Sequence, residues 1–124
     1  MNAEPHPLDD AIELQREAAA LGFDWNDASE LWAKLEEEIG ELREAATQGE
    51  ARTRDEFGDL LFVAVNLSRH LGVDPEQALR EANQKFRRRF AVVMAGRASW
   101  DALQGAARVE QMERLWQQAK RQGL

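Results

Sequence analysis

Cysteine is absent from the 124-residue chain. That excludes disulfides, thiolate zinc sites and a cysteine nucleophile. Histidine is scarce, and only His6 and His70 can offer an imidazole. No Glu-x-x-His pair occurs, which disfavours a ferritin-like di-iron protein. No apolar run approaches the roughly 20 residues that a membrane span requires. The opening MNAEPHPLDD lacks the basic start and apolar stretch of a secretory signal. The expectation is a cytoplasmic protein with no membrane partner. Sustained two-residue alternation is missing as well, so no strand is predicted, and no repeat or low-complexity segment is evident.

What is present is charge, unevenly spread. The formal balance is −7, which argues against a nucleic-acid polymer as partner. Residues 1–62 hold 17 acids and 5 bases, whereas residues 63–124 hold 6 acids and 11 bases. The first half carries −12 and the second +5. One half is suited to cations and the other to anions.

Alanine, leucine, glutamate, glutamine and arginine dominate, and all favour helices. A first helix is read from Leu8 to Leu21, stopped by Gly22. A second begins near Asp27, where Asp27 and Glu30 fit a capping arrangement, and runs to about Gln48 before Gly49. A third covers about Thr53 to Leu71, closed by Gly72. The short link predicts an antiparallel hairpin of these two helices. The fourth has the clearest start, with Asp74 as cap, Pro75 in the first position and Gln77 in the third, and continues to about Ala95. Residues 96–105 read as a loop or a short turn opened by Ser99, and a last helix spans about Ala107 to Arg121. The fold class is all-α: a helical bundle of four main helices plus a short additional helix or turn. Residues 1–7 read as a flexible tail, His6 included, and residues 8–124 as a single domain.

Placed on a wheel at roughly 100° per residue, the second helix shows an apolar stripe of Leu31, Leu35, Ile39 and Leu42. Glu38 falls inside it. Glu41 and Lys34 lie on its edge, Glu37 further round the same flank, and Glu36 and Glu44 point away. On the third helix Phe57, Leu60, Val63, Ala64, Leu67 and Leu71 define the apolar face. Glu56 falls within that face, and Asp59 and Asn66 share a flank. Each helix therefore carries two carboxylates three residues apart, on neighbouring positions. Like charges so placed repel, and directing them into a core is costly. In an antiparallel hairpin the pairs can converge, and either protonation or a bound cation relieves them. Oxygen ligands suit hard ions, Mg2+ or Mn2+, and magnesium is commonly completed by substrate phosphates. Two blander readings stand beside this one: a solvated acidic face, and a capping box between Thr53 and Glu56.

The basic half has a similar pattern. Leu79, Ala82, Phe86, Phe90 and Val93 form the stripe of the fourth helix, with Lys85 and Arg89 one turn apart on its flank. Such a pair can grip a polyphosphate or serve as an ordinary solvated face. On the last helix Trp116 and Lys120 are one turn apart. Trp116, Trp25, Trp32 and Trp100 read first as core residues, and His70 as a capping or packing residue.

The segments KLEEEIGEL (34–42), EFGDLLFVAVNLSRHL (56–71), EANQKFRRRF (81–90) and MERLWQQAKRQ (112–122) together resemble the MazG family of nucleoside triphosphate pyrophosphohydrolases. The first two hold the family's E-E-x-x-E and E-x-x-D signatures in the expected order. The resemblance covers nearly the whole chain from about Leu8, and least of all residues 96–108. It implies an all-α fold and Mg2+-dependent cleavage of a nucleoside triphosphate between the α and β phosphates, giving the monophosphate and pyrophosphate. By motif position Glu38, Glu41, Glu56 and Asp59 are implied as metal ligands. Glu37 and Glu38 are implied in catalysis, Glu37 as the group that orients or deprotonates the attacking water. Lys34, Lys85 and Arg89 are implied as triphosphate contacts, Trp116 and Lys120 as nucleotide neighbours, and Asn66 and Asn83 as further polar contacts. A homodimer or homotetramer is implied, because family sites form at subunit interfaces. Many family members carry two tandem copies of this module, whereas this chain carries one, more like the catalytic second copy. The alternatives are a narrower dUTP or dCTP diphosphatase, a phosphoribosyl-ATP pyrophosphohydrolase, and, from another class, a non-enzymatic helical dimerisation module.

Overall fold

Helix signals in this chain are punctuated by caps and glycines, and the computed structural model, which describes residues 6–124, follows them closely. Five α-helices and one short 3-10 turn make up the described residues, with no strand among them. They are α1 (Pro7–Ala20), α2 (Ala28–Ala45), α3 (Glu50–His70), α4 (Pro75–Ala95) and α5 (Gly105–Arg121), with a 3-10 turn over Arg97–Ser99 between the last two. None is long and apolar enough to cross a membrane. Of the segment read as a tail, only His6 and Pro7 are among the described residues. Residues 1–5 lie outside the described residues. His6 is the cap of α1, its Nδ1 accepting from the Leu8 amide at 3.3 Å, and Pro7 takes the first helical position, where a missing N–H costs nothing.

Asp27 caps α2 by accepting from the Ser29 amide at 2.8 Å. Glu30 does not close the expected capping box, since its Oε1 accepts from Asn26 Nδ2 at 3.1 Å instead. Gly49 turns the chain into α3 with a φ of 110°, a region that side chains with a Cβ avoid. α3 starts three residues earlier than predicted. Thr53 is therefore inside the helix, where its hydroxyl donates to the Gly49 carbonyl at 2.8 Å and the Ala45 carbonyl at 3.1 Å. This overturns the Thr53–Glu56 capping box and ties the end of α2 to the start of α3. At α4, Asp74 accepts from the Glu76 amide at 3.0 Å, as its position ahead of Pro75 predicts.

The chain divides into two compact units, residues 1–76 and 77–124. In the first, α2 and α3 form an antiparallel pair: Leu31, at the start of α2, clusters with Val63 and Leu67, near the end of α3, and Trp25, Ala28 and Leu35 pack around them. Leu31 is fully buried, a burial that contributes roughly 1.5–3 kcal/mol. α1 packs on another face of α3, where buried Gln15 donates from Nε2 to the Phe62 carbonyl at 2.9 Å. The buried residues of α2 are Leu31, Glu38 and Ala45, spaced by seven, so the buried line is narrower than the wheel suggested. Ile39 is on its exposed side, as are Phe57 and Ala64 on α3 and Leu71 at its cap, while Val65, outside the predicted face, is buried. α3 is covered by α2 on one face and α1 on another, so its inward residues do not form one stripe.

In the second unit α5 returns along α4. Gly96 lies so close to Leu115 that an added Cβ would meet its Cδ1 at 2.6 Å. Trp100 is buried, its Nε1 donating to the Val93 carbonyl at 2.9 Å, and the Arg97 and Arg108 guanidiniums sit over its ring at 5.9 and 5.1 Å. Trp32, by contrast with the core reading, is half exposed, as are Leu79 and Phe86 of the predicted α4 stripe.

A polar clamp fixes the 22–27 segment onto the end of α3. Asp24 takes both terminal nitrogens of Arg69, with Nη1 at 3.0 Å, and lies 2.9 Å from His70 Nε2. The Arg69 hydrogen bond, helped by His70, holds the Asp24 carboxyl well below the usual carboxylate range. A carboxylate with a lowered folded pKa stabilises the fold above its unfolded value of about 3.9, and that contribution is lost as pH falls through the folded pKa. Asp24→Asn is therefore expected to lower the urea midpoint at pH 7. The gap to wild type should narrow below about pH 4. A constant gap from pH 7 to pH 2 in urea titrations would contradict this.

Candidate metal centre

The acid pairs meet where α2 and α3 face each other. Glu38, Glu56 and Asp59 each offer one carboxylate oxygen, and these lie within 4.8 Å of one another. Glu38 is only 5% exposed, at the middle of the buried line of α2. Glu56 is half-buried and Asp59 reaches the cluster from the exposed flank of α3. Helical rise explains the meeting: Glu56 and Asp59 are successive-turn neighbours, and the antiparallel pairing seen at Leu31–Leu67 brings them level with Glu38.

Compensation within the cluster is partial. Lys34 Nζ is 3.2 Å from Glu38 Oε1 and 3.3 Å from Glu37 Oε1, and these carboxylates raise the lysine's pKa, Glu38 foremost. Arg52 Nη2 is 3.7 Å from Glu56 Oε1. The second oxygens of both glutamates, Glu38 Oε2 and Glu56 Oε2, are buried with no hydrogen-bond partner. An unsatisfied buried carboxylate oxygen is costly, and two of them beside a third carboxylate suit a divalent cation held by hard oxygen donors. The chemistry of the donor set and the orphaned oxygens both fit such an ion.

Glu41 is half-buried and is not one of the three converging acids. Its pKa is raised, chiefly by repulsion from Glu38, then by partial desolvation and by Glu56. Glu37 is exposed and engaged with Lys34. Asn66 lies two turns beyond Asp59, its Oδ1 accepting from Arg69 Nη2 at 2.7 Å. In the second unit Arg89 and Trp116 are brought together, the guanidinium 5.6 Å from the ring centre, and Phe86 lies 5.3 Å from the same ring. Arg89 Nε also donates to the Leu124 carbonyl at 2.8 Å. Asn83, Lys85 and Lys120 are exposed. Arg52 is the residue that sequence reasoning missed. Its signal was the four-residue spacing to Glu56, which puts opposite charges on adjacent turns.

Residues 7–86 match the model of the phosphoribosyl-ATP pyrophosphohydrolase family. The chain belongs to that family, within the MazG-like superfamily. It is 43% identical over 117 residues to the "Nucleoside triphosphate pyrophosphohydrolase" of Escherichia coli strain K12, a match covering 92% of this chain and 44% of the relative. It is 42% identical over 110 residues to the "Nucleoside triphosphate pyrophosphohydrolase/pyrophosphatase MazG" of Thermotoga maritima, covering 89% of this chain and 42% of that one. The chain thus spans less than half the length of these curated relatives. The matched region of the family includes all three converging acids as well as Lys34 and Arg52.

A cation that binds only the folded protein raises its stability by RT ln(1 + [L]/Kd), about 2.7 kcal/mol at a hundredfold excess over Kd. Millimolar Mg2+ or Mn2+ is therefore expected to raise Tm. Asp59→Asn should raise the metal-free Tm by a few degrees, because it relieves repulsion, and should shrink the metal-induced increment. Thermal melts of both proteins with and without metal check this; an undiminished increment in the variant counts against the cluster.

Proposed function

We propose that this chain is the catalytic module of a Mg2+-dependent nucleoside triphosphate pyrophosphohydrolase, cleaving ribo- or deoxynucleoside triphosphates between the α and β phosphates. One observation carries the reading: two buried carboxylate oxygens, on Glu38 and Glu56, have no partner within the protein and stand next to Asp59. A protein that buries unsatisfied acids loses stability unless a ligand compensates them, and the names of the relatives give a reaction on a triphosphate that such a cation would serve.

Glu38, Glu56 and Asp59 would hold Mg2+, or Mn2+ as a substitute, with Glu41 as a fourth acid at the rim. When bound, the ion offsets phosphate charge and acidifies water. Glu37, exposed and oriented by Lys34, is proposed to take the proton of the attacking water. Lys34 and Arg52 sit one turn from the acids on their own helices and, when a triphosphate enters, can exchange a carboxylate for a phosphate oxygen. Lys85, Arg89, Trp116, Lys120, Asn66 and Asn83 are proposed as substrate contacts on motif position. The contact of Arg89 with Trp116 supports their acting together. The role is proposed to be nucleotide-pool housekeeping in the cytoplasm. A homodimer or homotetramer is proposed too, supported by the half-exposed Phe57, Leu61 and Phe62 along α3. The acidic balance speaks against a nucleic-acid polymer as partner.

A second reading has its own support: the family whose model matches is named for phosphoribosyl-ATP. Turnover compared across phosphoribosyl-ATP, dUTP, dCTP and the common triphosphates separates the two. The expected products with Mg2+ are monophosphate and pyrophosphate in equal amounts; orthophosphate alone would refute the cleavage position. Glu38→Ala should lower turnover roughly a hundredfold or more, the scale at which loss of one charge-stabilising group is felt, while circular dichroism stays helical. Near-full turnover in that variant would remove Glu38 from the site.

A further inference from the structure

One cation of the second unit is held from two sides. Lys85, Arg87 and Arg88 on α4 are exposed, whereas Arg89 is half-buried. Its Nε donates to the main-chain oxygen of Leu124 at 2.8 Å, across 35 residues of sequence. Its guanidinium also stands 5.6 Å from the centre of the Trp116 ring, and Phe86 lies 5.3 Å from the same ring. The first contact fixes an edge of the guanidinium and the second its face. Among the described residues no acceptor engages Nη1 or Nη2. The fork at the tip, which can take two oxygens of one phosphate, is left open. Lys34 and Arg52, by contrast, must leave a carboxylate before they can take a phosphate.

The oxygen that receives Arg89 is placed by the way α5 stops. The helix runs to Arg121, with Gln122 as its cap. Gly123 has a φ of 83°, the left-handed conformation in which a Cβ crowds the following carbonyl. The Gly123 amide donates to the Lys120 carbonyl at 3.0 Å and the Leu124 amide to the Ala119 carbonyl at 3.1 Å. These two bonds are the glycine-dependent stop of a helix. They fold the chain back, and Ala119, fully buried, anchors the fold-back in a fixed part of α5. A Cβ built on Gly123 would touch nothing within 4 Å beyond its own neighbours. Backbone conformation, not space, therefore requires the glycine. A free arginine has many rotamers and loses that freedom when it grips an anion. An arginine ordered beforehand binds with a smaller loss.

We propose that the glycine turn at the end of α5 is a positioning element, which through the Leu124 main-chain oxygen aims the Arg89 fork at a phosphate of the substrate. This rests on the pyrophosphohydrolase reading above, in which Arg89 is a triphosphate contact. In this role Gly123 and Leu124 act through Arg89 and touch no substrate atom.

Calorimetry on the full chain with Mg2+ and an α,β-methylene nucleoside triphosphate tests this. Gly123→Val brings a branched side chain that the left-handed region excludes. It should open the turn and weaken binding roughly tenfold, the scale of one charge-assisted contact. Gly123→Asn, which tolerates that region, should keep most of the affinity. Gly123 is exposed, so the variants should stay helical by circular dichroism. A chain ending at Gln122, which lacks the acceptor altogether, should lose the same roughly tenfold. Arg89→Ala should cost at least as much, and adding Gly123→Val to it should cost nothing more, because both act through one group. Wild-type affinity in Gly123→Val or in the shortened chain overturns the proposal. So does a loss in Gly123→Val that persists undiminished on Arg89→Ala, the mark of a merely structural turn, or one that Gly123→Asn shares in full. A wild type that neither binds the nucleotide nor releases pyrophosphate refutes the underlying reading, and the proposal falls with it.

Discussion

The burial of Glu38 is the constraint on which the rest of the first unit depends. It occupies the middle of the α2 line that Leu31 and Ala45 complete, a position where an apolar side chain would serve stability better. Leu31 against Val63 and Leu67 locks the helix pair in register, and that register delivers Glu56 and Asp59 to the same place. The hydrophobic contacts therefore enforce a like-charge encounter that nothing local would favour. Lys34 and Arg52 relieve it incompletely, each reaching one oxygen and leaving the other buried and unpaired. Stability sacrificed at one spot in this way is the usual mark of a site built for a ligand that brings the missing charge.

α3 acts as a shared ruler. Along it come Arg52, Glu56, Asp59, Phe62, Asn66 and Arg69, and the elements on either side are attached to it by different physics. α2 is held by apolar packing and by the Thr53 hydroxyl. α1 is held by the amide of Gln15. The connecting segment is held by the Asp24–Arg69–His70 clamp. A charge-assisted, two-pronged contact of this kind is both stronger and more directional than a neutral one. The second unit is stabilised separately, by the contacts of two arginines with the Trp100 ring and by the close approach of Gly96 to Leu115.

Much of this was legible in the sequence. Glycine stops, the Asp74–Pro75 start and the Asp27 cap placed helix ends within a few residues, because capping is a local interaction between near neighbours. The misplacements have equally local causes. α3 began at Glu50 rather than Thr53, because Gly49 with its positive φ admits the chain directly into the helix. The predicted apolar faces were too broad, because a helical wheel assumes one covering surface and α3 has two. Ile39, Phe57 and Leu71 were therefore read as inward when they are largely exposed.

By itself the sequence determined the helices, the division of charge between its halves and the identity of the acids at odds with their apolar surroundings, since all three follow from periodicity and composition. Tertiary structure decided which acids meet. Glu38, Glu56 and Asp59 converge and Glu41 is not among them, a distinction of register between two helices that no single-helix wheel contains. It also decided that Gln15, Asp24 and Arg69, far apart in the chain, border one apolar cavity. Such a grouping depends on how three elements pack, and packing is set by long-range shape and burial rather than by the residues adjacent in sequence.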